Sequence, residues 1–182
     1  MLVMVGASAS GKTEIAKLII RHAGFKKMVT YTTRPMRKGE KDGVDYHFLS
    51  VKEFLKRRAE GFFVETSEYN GHYYGTSFDS VAHDRVLIVD PSGANTLYAR
   101  LGGKAVFFLL ETPKSIRAER MFARGDTLED IEKRLERDDL YFDRHNLTHI
   151  DFIIDTSKKS LDELCEDILA RYRRCLRERN RL

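Results

Sequence analysis

The chain has 182 residues, a length that fits one domain with a sizeable core. Hydrophobic residues make up 42% and charged residues 33%, which excludes a disordered chain, and no apolar run approaches the ~20 residues a membrane helix needs. The net charge of +4 is local. The twelve residues from Arg171 hold six arginines and one glutamate, so the rest is close to neutral and a surface that is basic all over is excluded.

In chain order, Leu2 to Val5 is an apolar run stopped by Gly6, and residues 12–23 show helical spacing at Ile15, Leu18 and Ile19. The opening stretch is too short for a secretory signal. Met28 to Tyr31 reads as a second strand, and the polar, basic stretch 32–43, with Pro35, Gly39 and Gly43, as a loop. Asp45 to Leu49, Phe62 to Thr66 and His72 to Gly75 read as short strands around a helix from Val51 to Glu60. The pair Asn70-Gly71 marks a hairpin turn, which makes this region a small antiparallel insert. Arg85 to Val89, Ala105 to Leu110 and Phe152 to Ile154 are near-continuously apolar, as strands covered on both faces should be. Helices are expected over Ser92 to Leu101, about 114–123, about 127–143 and about 160–178. The last of these presents Leu161, Leu164, Ile168, Leu169 and Tyr172 on one face. Strands alternating with helices imply an α/β fold with a parallel core sheet between two helical layers.

Cys165 and Cys175 are ten residues apart on the last helix, about 15 Å along its axis, too far for a disulfide. They read as free thiols of a reducing, cytoplasmic compartment. His145 and His149 stand at i, i+4, but no third ligand is near in sequence, so they read as a solvated helix face rather than a metal site.

Gly6-Ala7-Ser8-Ala9-Ser10-Gly11-Lys12-Thr13 matches the phosphate-binding pattern G-x-x-x-x-G-K-[ST], with a strand before it and a helix after it. The glycines let backbone N–H groups face a phosphate, and the helix start adds partial positive charge. Lys12 can reach the β- and γ-phosphates of ATP, and the Thr13 hydroxyl can ligate Mg²⁺. Rival patterns fail on spacing: a nucleophile elbow needs glycine where Ser10 stands, and a dinucleotide fingerprint needs it where Ser8 stands. Asp90 closes an apolar strand, a usual place for the acidic partner of the magnesium, although a helix cap would also explain it.

Residues 30–46 then present Thr30, Thr32, Thr33, Arg34, Arg37, Gly39, Glu40, Gly43 and Tyr46 in fixed order. This stretch resembles the guanylate kinase signature T-T-R-x-x-R-x-G-E-x-x-G-x-x-Y at every fixed position. Glu65 with Gly71 to Thr76 is similar to that family's second nucleotide-binding stretch. Asp90 to Gly93 resembles its D-x-Q-G segment, and Arg120, Arg124-Gly125 and Arg134-Leu135 resemble its lid. The likeness runs from Val3 to about Leu135 and more loosely to the end.

The resemblance implies one P-loop domain: a core of about 1–31, 85–119 and 144–182, a nucleoside-monophosphate insert of about 32–84, and a mobile lid of about 120–143. It implies an ATP:GMP phosphotransferase using Mg²⁺. Arg34 and Arg37 would grip the dianionic acceptor phosphate with bidentate bonds, and Tyr46 and Tyr74 would add hydroxyl donors. Glu65, and in part Asp90, would accept from the guanine N1–H and N2–H₂. Thr76 would face O6, and Thr30 stands where the family has a small hydroxyl residue. Arg120 and Arg124 would act from the ATP side and Arg134 between the nucleotides. For Arg117, Arg137 and Arg144 the simpler expectation is a solvated helix face.

The chain departs from the family pattern at four points. Ile88 stands where an acidic residue is usual, so Thr13 and Asp90 would organise the magnesium. Ser92 replaces the glutamine, after Pro91, and Asp155 replaces an asparagine beside the adenine. The segment from Arg124 to Arg134 is one residue short. The stretch Arg134 to Asp139 is also unlike the consensus. Three other readings compete. They are a related kinase with another phosphate acceptor, a phosphopeptide-binding module, against which the intact Lys12 and Thr13 argue, and nucleic-acid binding through the C-terminal arginines. The arginines are more simply the wet face of the last helix. The expected partners are thus the small molecules ATP and GMP, without nucleic acid or membrane, in a monomer or homodimer.

Overall fold

The computed structural model describes residues 1–37, 39–69 and 71–179. Among the described residues, nine strands and six α-helices follow in chain order: β1 (Leu2–Val5), α1 (Lys12–Ala23), β2 (Lys26–Lys27), β3 (Tyr31–Thr32), β4 (His47–Phe48), α2 (Val51–Ala59), β5 (Phe63–Tyr69), β6 (His72–Ser77), β7 (Arg85–Ile88), α3 (Pro91–Leu101), β8 (Val106–Glu111), α4 (Lys114–Ala123), α5 (Leu128–Tyr141), β9 (Phe152–Asp155) and α6 (Leu161–Arg179).

The core sheet has the order β2-β7-β1-β8-β9, and every pair in it is parallel. Strand β1 lies at its centre and is fully buried, because side chains alternate between two covered faces. Leu2 and Met4 pack with Ile15 and Ile19 of α1 and with Leu164, Ile168 and Tyr172 of α6. Val3 and Val5 pack on the opposite face with Ala94 and Leu97 of α3 and with Phe107 and Leu109 of β8. The chain ends of β1, β7, β8 and β9 therefore meet at one edge of the sheet, the usual location of sites in open α/β sheets.

A second sheet, β4-β3-β6-β5, is built from the insert. Its β3–β6 and β5–β6 pairs are antiparallel, while β3 and β4 run parallel. The expected strand from Met28 to Tyr31 is divided. Lys26 and Lys27 pair with β7 in the core sheet, whereas Tyr31 and Thr32 pair with β6 in the second. The division arises because the chain changes sheets here: the Met28 N–H still donates to Val86 O, at 3.2 Å, before the backbone turns away. Asn70 of the hairpin signal lies outside the described residues, as do Lys38 and Arg181. Gly71 adopts the left-handed backbone such a turn favours, with φ +73°.

Two local expectations are corrected. Leu161 is 42% exposed, since it starts α6 beyond the edge strand β9, and the buried face begins at Leu164. His145 and His149 share no helix. His145 sits on a short 3₁₀ turn, and His149 stacks on Tyr98 at 4.2 Å between ring centroids. Among the described residues no group of three or more His, Cys, Asp or Glu side chains could hold a metal. The same residues contain no helix long and apolar enough to cross a membrane.

Candidate active site

The loop between β1 and α1 is held in shape by its backbone. A Cβ on Gly6 would stand 2.5 Å from Leu110 O, so only glycine permits the close approach of β1 and β8 here. Gly11, with φ +91°, opens α1, and no side chain caps the helix's first turn. The first-turn N–H groups of a helix have no intrahelical partners, which is what makes a helix start an anion site. Arg120 braces the loop from α4: Nη1 donates to Ala9 O at 3.1 Å and Nη2 to Thr156 O at 2.9 Å. The Thr156 hydroxyl lies 3.0 Å from Ser10 O. The Lys12 ammonium is turned onto its own loop, donating to Gly6 O at 2.5 Å and Ala7 O at 2.6 Å. Burial pushes its pKa down to about 8; Asp138 opposes that shift and Arg117 adds to it.

Two openings meet at Lys12. A cavity of about 300 Å³ is lined by Gly6, Ser8 and Lys12 on one side and by Thr30, Tyr46, Glu65, Tyr74, Thr76 and Asp90 on the other. A cleft of about 330 Å³ is lined by Ala9 to Thr13 with Arg120 and Arg124. In the first, Glu65 accepts from the Thr76 hydroxyl at 2.7 Å, and burial pushes its carboxyl up to about 7, with the nearby Asp90 contributing. Gly93 packs beside this pair: a Cβ there would lie 3.4 Å from Glu65 Oε2, in van der Waals contact. Asp90 caps α3, accepting from the Gly93 N–H at 2.7 Å, and the Tyr141 hydroxyl of α5 reaches the same carboxylate. Asp90 is thus a helix cap that also lines the cavity. Tyr46 and Tyr74 stand 6.2 Å apart, and the Arg34 guanidinium lies 5.5 Å over the Tyr46 ring. Ile88 also lines this cavity, in place of a carboxylate.

A family model described as guanylate kinase matches residues 1–172. The guanylate kinase of Chlorobaculum tepidum is 38% identical over 75% of this chain and 75% of its own length. That of Symbiobacterium thermophilum is 33% identical over 97% of this chain and 88% of its own length. The chain belongs to the guanylate kinase family. The crystal structure of guanylate kinase from Anaplasma phagocytophilum supports the fold, with a TM-score of 0.72 and 23% identity over 95% of this chain and 84% of that one.

Of the expected site residues, Arg34, Arg37, Arg134 and Asp155 line neither opening. Arg37 is exposed on the loop before β4, and Asp155 lines a different cavity beside Ala7. The Asp155 carboxylate accepts from the Ser157 N–H and hydroxyl at 2.8 and 2.5 Å. Arg124 and Arg134 both turn to Asp126, at 2.5 and 3.7 Å, which holds the Asp126 carboxyl below its ordinary range.

Four further residues matter that the sequence did not single out for a role. Glu40 ties the signature loop together, with one oxygen on Arg34 Nη2 at 2.7 Å and the other on the Arg37 N–H at 2.7 Å. Its place in the motif was the available signal. Thr156 links the phosphate-binding loop to the end of β9, where nothing local marks it. Arg117 is no solvated helix residue but is 4% exposed, because α5 covers it and Asp139 of that helix pairs with its guanidinium. Asp138 is 2% exposed and accepts from the Ser8 N–H at 2.6 Å. The odd charge pattern of residues 134–139 was its only trace. Arg144 does stay on the surface, paired with Glu111 at 2.5 Å.

Proposed function

We propose that this member of the guanylate kinase family transfers the γ-phosphoryl of ATP to GMP or dGMP across Lys12. The observation that carries the reading is that Lys12 lines both the cavity of Glu65, Thr76 and Tyr74 and the cleft of Thr13, Arg120 and Arg124. One ammonium can thus touch the phosphates of both nucleotides. In the transfer, the bond from Pγ to the β–γ bridging oxygen breaks and a bond from Pγ to an acceptor phosphate oxygen forms. The acceptor is already an anion, so no general base is required, and catalysis reduces to alignment and charge neutralisation.

Gly6 to Thr13 would cradle the ATP phosphates, with Asp155 nearer the adenine. Arg34, Arg37, Tyr46 and Tyr74 would hold the acceptor phosphate. Glu65 and Asp90 would accept from the guanine N–H donors, while Thr76 faces O6 and Thr30 the sugar-phosphate side. Arg120, Arg124 and Arg134 would offset the charge that builds between the two phosphates. Thr13 and Asp90 supply hard oxygen donors of the kind Mg²⁺ takes, the remaining ligands being phosphate and water. The ion would add charge neutralisation at the phosphates. The insert (about 32–84) and the lid (about 120–143) would close on the core and exclude water, which would otherwise accept the phosphoryl group. We place this activity in the cytoplasm, in a monomer or homodimer acting on small molecules.

A coupled ADP-release assay with Mg·ATP against GMP, dGMP, AMP, UMP, dUMP and CMP tests the reading. Turnover confined to GMP and dGMP supports it. Turnover with a different acceptor, or with none, refutes it.

A further inference from the structure

The buried contact between Asp138 and the phosphate-binding loop has no part in the reaction described above. Asp138 lies near the end of α5, far from the loop in sequence, yet its Oδ2 accepts from the Ser8 N–H at 2.6 Å. Ser8 belongs to the run of backbone N–H groups that the pattern aims at phosphate. A carboxylate oxygen there carries the same charge and the same acceptor geometry as a phosphate oxygen. The carboxylate is almost wholly withdrawn from water, with 2% of the residue exposed, and it is close enough to Lys12 to favour the charged ammonium.

A second observation points to an anion at this place. Arg117, packed under α5 and 4% exposed, has its Nε and Nη1 atoms buried without a hydrogen-bond partner among the described residues. Arg117 and Asp138 line one cavity of about 460 Å³ beside Ala7 of the loop. Lys12 meanwhile donates to the loop's own carbonyls. Without nucleotide the loop thus satisfies itself, its lysine by its own backbone and its Ser8 amide by the carboxylate of α5, and cationic capacity is left over.

We propose that Asp138 is a resident stand-in for phosphate, which holds the empty loop in its binding shape and must be displaced when the phosphates of ATP arrive. The inference rests on the assignment of this loop to ATP. Two consequences follow. Apparent ATP affinity is lowered by the fraction of molecules whose loop is already filled. Arrival of the phosphates also frees the end of α5, the helix that carries Arg134 and Tyr141, so that nucleotide binding and rearrangement of this helix become one event.

Calorimetric titration of the full chain with ADP, with pyrophosphate and with GMP tests this, in wild type, Asp138→Asn and Asp138→Ala. Asparagine is isosteric and keeps a neutral acceptor, so it carries the test if the alanine variant does not fold. The expected result is ADP and pyrophosphate binding tightened by about tenfold, as for loss of a competing charge-assisted hydrogen bond, with GMP binding unchanged. In turnover, KM for ATP falls while KM for GMP holds. Unchanged or weaker ADP binding in the variants overturns the proposal, and so does an equal change for GMP. If wild type binds ADP and Lys12→Ala does not, the loop's assignment stands whatever the Asp138 variants do. If wild type binds neither ADP nor ATP, that assignment fails and this inference with it.

Discussion

Replacing Glu65 by glutamine removes a charge from the wall of the acceptor cavity while keeping an oxygen for the Thr76 hydroxyl. The side chain is 6% exposed, and its carboxyl is held at about 7 rather than 4.5, chiefly by burial. In the ligand-free protein the ionised form therefore costs about 3 kcal/mol. The native state keeps a proton that the unfolded chain releases between about pH 4.5 and 7. Stability is full below that range, falls as pH rises through it, and is level above it. Glutamine has no such dependence. Urea unfolding at a series of pH values should show wild type losing about 3 kcal/mol relative to Glu65→Gln between pH 4.5 and 8. The same substitution should harm function, because a carboxylate accepts from both guanine donors while an amide presents one oxygen and a competing N–H₂. The preference for GMP over AMP in kcat/KM should fall by at least about tenfold, the loss of one hydrogen bond to a charged group. Parallel stability profiles for the two proteins would refute the burial argument, and an unchanged guanine preference would refute the role of Glu65 in reading the base.

Lys12→Ala should abolish turnover and leave the chain folded by circular dichroism; turnover at the wild-type rate would refute the loop's assignment. Arg37→Ala should weaken GMP binding by about 1.5–3 kcal/mol, seen in KM for GMP with KM for ATP unmoved. Lys12 is held near 8 in the ligand-free protein, and bound phosphates favour its charged form. ATP affinity should therefore be full below pH 8 and decline by up to about tenfold per pH unit above it, with proton uptake on binding in calorimetry. A flat profile between pH 7 and 10 would show that Lys12 does not meet the phosphates.

The parts of the site that lie within one short stretch were legible in the sequence. Gly6 to Thr13 requires a fixed backbone path, and that path dictates residue types at fixed spacing. The signature from Thr32 to Tyr46 is legible by its residue order, yet of its residues only Tyr46 lines the cavity at Lys12. Most helices were read to within a residue or two, because the apolar spacing of α1, α3 and α6 matches the faces they bury. The misreadings share one cause. The strand expected at Met28 to Tyr31 fails because two sheets compete for it, and neither partner, β7 or β6, is near in sequence. Arg117 was read as solvated because the local pattern of α4 is that of a surface helix. Only the packing of α5 across it, with Asp139 as counter-ion, makes its burial tolerable. Asp138 was part of an unexplained charge run because its partner is a backbone N–H 130 residues away.

Two titratable groups that line one cavity, Glu65 and Lys12, are displaced toward neutrality by one cause. Burial raises Glu65 to about 7 and lowers Lys12 to about 8, so both charges are weakened. Each shift would be reversed by a ligand that supplies a partner to the charged form. Guanine offers Glu65 an edge of N–H donors, and phosphate offers Lys12 an anion. A ligand that brings only one of these leaves the other group with its internal partners alone, Lys12 with the Gly6 and Ala7 carbonyls or Glu65 with the Thr76 hydroxyl. A purine without the N–H edge, or a guanine nucleoside without its phosphate, should therefore bind more weakly than GMP, which competition binding measures. On the ATP side the Ser8 N–H already holds the Asp138 carboxylate, so a phosphate there has to compete with a resident charged acceptor.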